Sequence, residues 1–187
     1  MSSVVVSYES GTRIVGENLE VISPQGEENI IKVIPNGEES GTPVTIIGGG
    51  LDDVIDLGVA GDSTALGFDG DDMIMGGMGA DLLDGGEGHD TLKGGMGADL
   101  LRGGDGNDVF EFDAANFKAG ELDQVFDFES AVGEDIADTI KITGVSDGVS
   151  YDADSGILSV DGEEAIQIGK DMGVTLADQG DGEWEVF

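Results

Sequence analysis

Between Gly76 and Glu111 the chain reads GGMGADLLD (76–84), GGEGHDTLK (85–93), GGMGADLLR (94–102) and GGDGNDVFE (103–111). These are four consecutive nine-residue units of one form, G-G-x-G-x-D-x-U-x, with U apolar. Three looser units precede them: GGGLDDVID from Gly48, LGVAGDSTA from Leu57 and GFDGDDMIM from Gly67. In this frame the sixth place is Asp throughout, at Asp53, Asp62, Asp72, Asp81, Asp90, Asp99 and Asp108. The eighth reads Ile55, Thr64, Ile74, Leu83, Leu92, Leu101 and Phe110. One step, from Asp62 to Asp72, is a residue longer than the rest, and Leu66 is taken as the insertion.

A solvated acidic run has no reason to hold glycines at fixed distances ahead of every Asp. Glycines at places one, two and four allow positive φ and close backbone approach, so that successive carbonyls turn toward one point. The last three residues of a unit alternate as a short strand whose eighth residue points inward. Each unit is then a turn followed by a strand, and two units close one coil. The identical octapeptides GGMGADLL at 76–83 and 94–101 agree with stacking at that two-unit distance.

Stacked turns would bring carbonyls and carboxylates together, and calcium takes about six to eight hard oxygen ligands at flexible angles. Magnesium demands a tighter octahedron and keeps its waters. The expected cation is calcium. Three sites follow, in which Asp72 faces Asp90, Asp90 faces Asp108 and Asp81 faces Asp99. Pairing Asp53 with Asp72 and Asp62 with Asp81 would add two more, giving about three to five ions. In these two units Leu51 and Ala60 stand where the fourth glycine belongs.

On these residues the segment 67–111 closely resembles the RTX family, with a looser likeness over 48–66. The resemblance implies a parallel β-roll in which turn carbonyls join the carboxylates. Here these would be the carbonyls around Gly77, Gly79, Gly86, Gly88, Gly95, Gly97, Gly104 and Gly106. It also implies export by the type I machinery of Gram-negative bacteria to an extracellular location. The chain end, Glu183, Trp184, Glu185, Val186 and Phe187, looks like the last residues of such a secretion signal. The stretch YDADSGILSVDGEEAIQI resembles segments that follow RTX repeats.

Charge points the same way. In 187 residues, 7 Lys and Arg face 41 Asp and Glu, a net charge of −34, which excludes nucleic acid and anionic membrane surfaces as partners. Self-repulsion and 34 glycines both oppose compaction, so a cation-dependent fold is expected. Without cysteine there are no disulfides and no sulfur-ligated metal sites. No stretch is apolar enough for a membrane span, and the N-terminus, MSSVVVSYESGTR, lacks the features of a cleaved signal peptide.

Catalytic patterns are not found: no G-x-S-x-G, no H-E-x-x-H, no phosphate loop, and a single His with no Cys. Paired carboxylates could cleave glycosides, but calcium ligation accounts for them better. His89 is expected to be exposed beside Asp90. Met78 and Met96, with Leu82 and Leu100, should line up on an outer face, either as a partner-binding patch or covered by terminal strands.

The flanks read as strands: Val4–Val6, Arg13–Val15, Leu19–Ile22, Ile30–Ile34 and Val44–Ile47 before the repeats, and 125–128, 139–142, 157–160 and 165–168 after them. Asp161 and Gly162 mark a hairpin turn, and Asp113–Glu121 is the best short helix. The expectation is an all-β protein. A parallel β-roll of about three and a half coils spans 48–111, with strand caps at 1–47 and a C-terminal flank at 112–187 that carries the secretion signal. The expected role is a secreted, non-catalytic calcium-binding module that folds on binding calcium after export, as a folding and secretion unit or a surface or matrix component. Alternatives are the C-terminal module of a larger RTX enzyme, which an initiator Met1 argues against, or an adhesin face for an extracellular ligand.

Overall fold

The computed structural model describes residues 4–8, 13–16, 19–22, 30–35, 43–58, 61–130, 137–170 and 172–187. Repeats that each offer one inward side chain cannot bury it alone, so they stack, and the chain winds between two facing sheets. Before the four perfect repeats lie β1 (Val4–Tyr8), β2 (Arg13–Gly16), β3 (Leu19–Ile22), β4 (Ile30–Pro35), β5 (Val44–Ile47), β6 (Val54–Asp56), β7 (Thr64–Asp69) and β8 (Met73–Met78). The repeats contribute β9 (Leu82–Glu87), β10 (Thr91–Met96), β11 (Leu100–Asp105) and β12 (Val109–Asp113). After them come β13 (Asp123–Val125), β14 (Thr139–Thr143), β15 (Val149–Asp152), β16 (Ile157–Val160), β17 (Glu163–Gln167), β18 (Leu176–Gly180) and β19 (Glu183–Val186).

One sheet has the order β18-β19-β14-β12-β10-β8-β6-β4-β1-β2, the other β15-β16-β17-β13-β11-β9-β7-β5-β3. Successive strands of the repeats alternate between the sheets, so neighbours within a sheet are two units apart. Thr91 pairs with Met73 and Leu100 with Leu82, both in parallel register at the predicted two-unit distance. The all-β parallel roll read from the repeats is present.

The parallel stacking continues past the repeats in both directions. In one sheet it runs from β4 through β6, β8, β10 and β12 to β14. In the other it runs from β3 through β5, β7, β9, β11 and β13 to β17. The stack is therefore longer than the three and a half coils expected from the repeats. Antiparallel hairpins close its ends, among them β1 with β2 and β16 with β17. Asp161 and Gly162, both at positive φ, make the turn of the second, as their sequence predicts.

The interior is one column of apolar side chains. Ile55, Ile74, Leu83, Leu92, Leu101 and Phe110 are fully buried at eighth places, and Val125 and Ile140 extend the column. Phe110 meets Phe128 with ring centroids 6.5 Å apart, so aromatics fill the C-terminal end of the array. The predicted helix at Asp113–Glu121 shrinks to a single 3-10 turn, Ala114–Asn116, with the Asp113 carboxylate accepting the Ala115 N–H. Gly120 at positive φ and a turn closed by the Glu121 N–H to the Lys118 carbonyl take the rest.

The register corrects one unit. Ala65, not Thr64, occupies the buried eighth place opposite Leu83, and Leu66 pairs with Asp84, so Leu66 is no insertion. A Cβ on Gly77 would touch the Gly58 carbonyl, 19 residues back, whereas one on Gly79 would touch Gly61, 18 back. The extra residue thus falls between Gly58 and Gly61, and Gly61 takes the fourth place that the repeat frame assigned to Ala60. Ala60 itself lies outside the described residues.

Candidate metal centre

Along each edge of the roll, the sixth-place carboxylates from Asp72 to Asp108 spend one oxygen on the coil before them. Asp72, Asp90 and Asp108 accept the backbone N–H of Asp53, Asp72 and Asp90 through Oδ1, at 2.7, 2.8 and 2.9 Å. On the other edge Asp81 and Asp99 accept from Ser63 and Asp81 at 2.8 and 2.9 Å. The residues expected to face one another, Asp72 and Asp90, Asp90 and Asp108, and Asp81 and Asp99, are joined by hydrogen bonds from backbone to side chain.

The second oxygen is unlike the first. Oδ2 of Asp72, Asp81, Asp90, Asp99 and Asp108 is buried and has no hydrogen-bond partner. None of the five carboxylates has an ion-pair partner among the described residues. Burial pushes Asp72, Asp81 and Asp90 up to about 7, against the N–H each accepts, and neighbouring carboxylates push further in the same direction. Asp99 is raised to about 6 by the same burial, with the Glu121 carboxylate adding to it, and Asp108 is raised as well. A buried charge left in this state is costly without a cation.

What faces each Oδ2 is set by the first glycine of the unit. A Cβ built on Gly85 would lie 2.1 Å from Asp90 Oδ2 and 2.7 Å from the carbonyl oxygen of Gly103, one coil on. Gly67 stands in the same relation to Asp72 Oδ2 and the Gly85 carbonyl, and Gly76 to Asp81 Oδ2 and the Gly94 carbonyl. These first glycines do not have positive φ; they are glycine because a side chain would fill the point where carboxylate and carbonyl converge. The second and fourth glycines, Gly77, Gly79, Gly86, Gly88, Gly95, Gly97, Gly104 and Gly106, do have positive φ. Among them, the Gly77, Gly79, Gly86 and Gly88 carbonyls lie where a Cβ on the corresponding glycine of the next coil would collide with them.

No three Asp, Glu, His or Cys side chains converge on one point among the described residues. A site here combines single carboxylates with backbone carbonyls, all hard oxygens, which is the donor set that suits calcium rather than zinc.

Two of the residues expected at sites differ from the rest. Asp53 accepts the Gly49 N–H on its Oδ2 at 2.7 Å, so that oxygen is already engaged by its own turn. Asp62 is exposed, and its Oδ1 accepts the Ala80 N–H. Ser63 holds the sixth place of that unit, with its Oγ accepting the Val44 N–H, because of the shifted register described above. Asp62 belongs to a second, outer ladder at the fifth places. There Asp52 accepts from Asp71, Asp71 from His89, and the exposed His89 from Asn107 through Nδ1.

The structure also adds ladder residues that the repeat does not announce. Asp123 accepts the Asp99 N–H at 2.8 Å, and Asp138 the Asp108 N–H at 3.0 Å, so the inner ladder runs two rungs beyond the glycine motif. Burial raises Asp123 to about 7 and Asp138 to about 6. One signal does persist at these places: an apolar residue two positions after the Asp, Val125 and Ile140, as in every perfect repeat.

A scan against family models matches the RTX calcium-binding nonapeptide repeat, in 4 copies, over residues 47–83 and 76–110. The chain carries an RTX calcium-binding repeat array. The RTX match coincides with the stretch in which first glycines and unpaired Asp oxygens recur, and RTX nonapeptide repeats bind calcium. A search of the curated proteins finds no match to this chain. Outside the RTX array, no helix among the described residues is long and apolar enough to cross a membrane.

Met78 and Met96 pair across neighbouring strands and, with Leu82, are exposed, so no terminal strand among the described residues covers them. Trp184 and Val186 lie in β19, between β14 and β18, with Val186 fully buried.

Proposed function

We propose that the protein is a secreted calcium-binding RTX module that has no catalysis of its own and folds when calcium enters its turns after type I export. The observation that carries this reading is the set of five buried Asp oxygens without hydrogen-bond partners, each recurring at one place of the repeat. Ions between stacked turns would take Asp72 with the Gly85 carbonyl, Asp81 with the Gly94 carbonyl, and Asp90 with the Gly103 carbonyl. Asp99 and Asp108 offer the same oxygen at the end of each edge. Three such sites are fully paired, and the terminal ones bring the number to about five.

Calcium at about ten times its dissociation constant contributes roughly 1.4 kcal/mol per independent site. Five sites together approach the whole stability of a domain, about 5–15 kcal/mol. In a cytosol poor in calcium the chain, at −34, stays expanded and fit for export. Outside, ion binding is folding energy and opposes return. The flanks 1–47 and 112–187 extend the 48–111 array and cap it with their outermost hairpins, and the β19 strand is the exported signal, read before it is buried in the sheet. The folded product serves as a surface or matrix component.

Limited proteolysis across a calcium series tests the folding step. Cleavage throughout 67–111 should disappear together between micromolar and millimolar calcium; cleavage that persists in millimolar calcium contradicts it. Export is tested in cells with a type I exporter, where deleting Glu183–Phe187 should retain the protein. Unchanged export removes the signal from the account.

A further inference from the structure

The Asp72, Asp81 and Asp90 turns are each followed by a further repeat turn on the same edge, whereas Asp99 and Asp108 belong to the last repeat turns of their edges; Asp99 is the one on which a flanking segment docks a further carboxylate. The three atoms nearest a Cβ on Gly94 are all from Asp99, with Oδ2 at 2.3 Å, where the inner glycines also meet a carbonyl from the next coil. Asp99 is 0% exposed, and its Oδ2 has no hydrogen-bond partner. Something other than a repeat turn has to complete its surroundings.

The chain that arrives there is Lys118–Gln124. It is pinned onto the Asp99 turn by two hydrogen bonds of 2.8 Å, from the Asp99 N–H to Asp123 Oδ1 and from the Gln124 N–H to the Asp99 carbonyl. These fix Glu121 beside the turn, where it lines a depression of about 460 Å³ with Gly97, Ala98 and Lys118. Glu121 Oε2 is itself buried with no hydrogen-bond partner; Lys118 Nζ approaches it only to 3.6 Å. Two buried carboxylate oxygens without hydrogen-bond partners, Asp99 Oδ2 and Glu121 Oε2, thus belong to the turn and to the segment docked on it.

We infer that Glu121 is a calcium ligand that closes the last site of this edge together with Asp99, in place of the missing repeat turn. The inference rests on the calcium reading of the array and extends it to a residue outside the repeats. It gives the flank a chemical role, because Glu121 supplies a carboxylate where the inner sites receive a carbonyl. The terminal site therefore carries one more negative charge than they do. A higher charge count strengthens calcium binding.

Calorimetric titration of the full chain with calcium, for the unaltered protein and for Glu121→Gln, Asp99→Asn, the double variant and Lys118→Gln, tests it. Glu121→Gln should lose about one bound ion at millimolar calcium and leave the remaining sites intact. Asp99→Asn should lose that same ion, and the double variant no more than either alone. Lys118→Gln should keep the ion, since removing a competing cation cannot weaken the site. If Glu121→Gln binds as the unaltered protein does, or if the losses in the double variant add, the assignment is wrong while the array reading stands. If the unaltered protein binds no calcium, the array reading itself fails. Should Glu121→Gln not fold, the Lys118→Gln result still decides, because loss of the ion there would show Glu121 acting only through its ion pair.

Discussion

Asp108 Oδ1 accepts the backbone N–H of Asp90 at 2.9 Å while its Oδ2, on the same carboxylate, is buried without a partner. One oxygen holds two coils in register; the other is the one that a cation would take on the calcium reading proposed above. The same division recurs at Asp72, Asp81, Asp90 and Asp99, so structural and ligand roles can be separated by substitution.

Asp90→Asn keeps an oxygen for the Asp72 N–H and removes the charge. In chelator it should raise stability, since a buried unpaired carboxylate is lost, and in calcium it should weaken binding. Asp90→Ala also strands a buried N–H, at a cost of about 1–3 kcal/mol in either condition. Urea midpoints in calcium, and the residual strand content in chelator by circular dichroism, check the pair of signs.

Phe68 stands at the second place of its unit, where the later repeats have glycine, and holds φ 85 with half its surface exposed. A left-handed conformation costs a non-glycine residue about 1–2 kcal/mol. Phe68→Gly should therefore stabilise the calcium-loaded protein by about 1 kcal/mol, read as a higher urea midpoint. A lower midpoint would show that the exposed ring contributes more than its backbone costs.

Gly85→Ala puts a methyl group where Asp90 Oδ2 and the Gly103 carbonyl converge. It should remove an ion from the calorimetric count. Gly120→Ala, at positive φ with nothing within 4 Å, should cost backbone strain alone and leave the ion count unchanged. Equal stoichiometry in the two variants would contradict the placement of the site.

Acid should do part of what calcium does. Folding raises Asp72, Asp81 and Asp90 from an ordinary 3.8 to about 7 and Asp99 to about 6, chiefly by burial. A carboxyl raised in the folded state stabilises that state when protonated. The gain is complete below about 3.8 and disappears as pH climbs through about 6–7. In chelator, circular dichroism should show more strand at about pH 4 than at about pH 8, and the opposite order would contradict this.

The parts of this architecture that were legible in the sequence are those that repeat with a fixed step. The glycine spacing and the recurring Asp lead directly to coils of two units and to the stacking of Asp72, Asp90 and Asp108 on one edge; that one oxygen of each accepts a backbone N–H is seen only in the structure. What escaped was set by tertiary register. Ser63 rather than Asp62 holds the sixth place, because one added residue in a turn moves every later residue by one, and two adjacent polar residues look alike until the burial of Ala65 decides between them. Asp123 and Asp138 lie in coils lengthened by loops, 24 and 30 residues from the residues they cap, so no period marks them. Only the buried apolar residue two places later does. Glu121 has no motif at all; its position comes from the segment docked on Asp99.

The most direct measurement is a calorimetric calcium titration of the intact chain, followed in parallel by far-ultraviolet circular dichroism. The account predicts a coil spectrum in chelator at neutral pH, a β spectrum in millimolar calcium, and about three to five ions taken up together with the change. A β spectrum of equal strength in chelator, with no heat of binding, would contradict it.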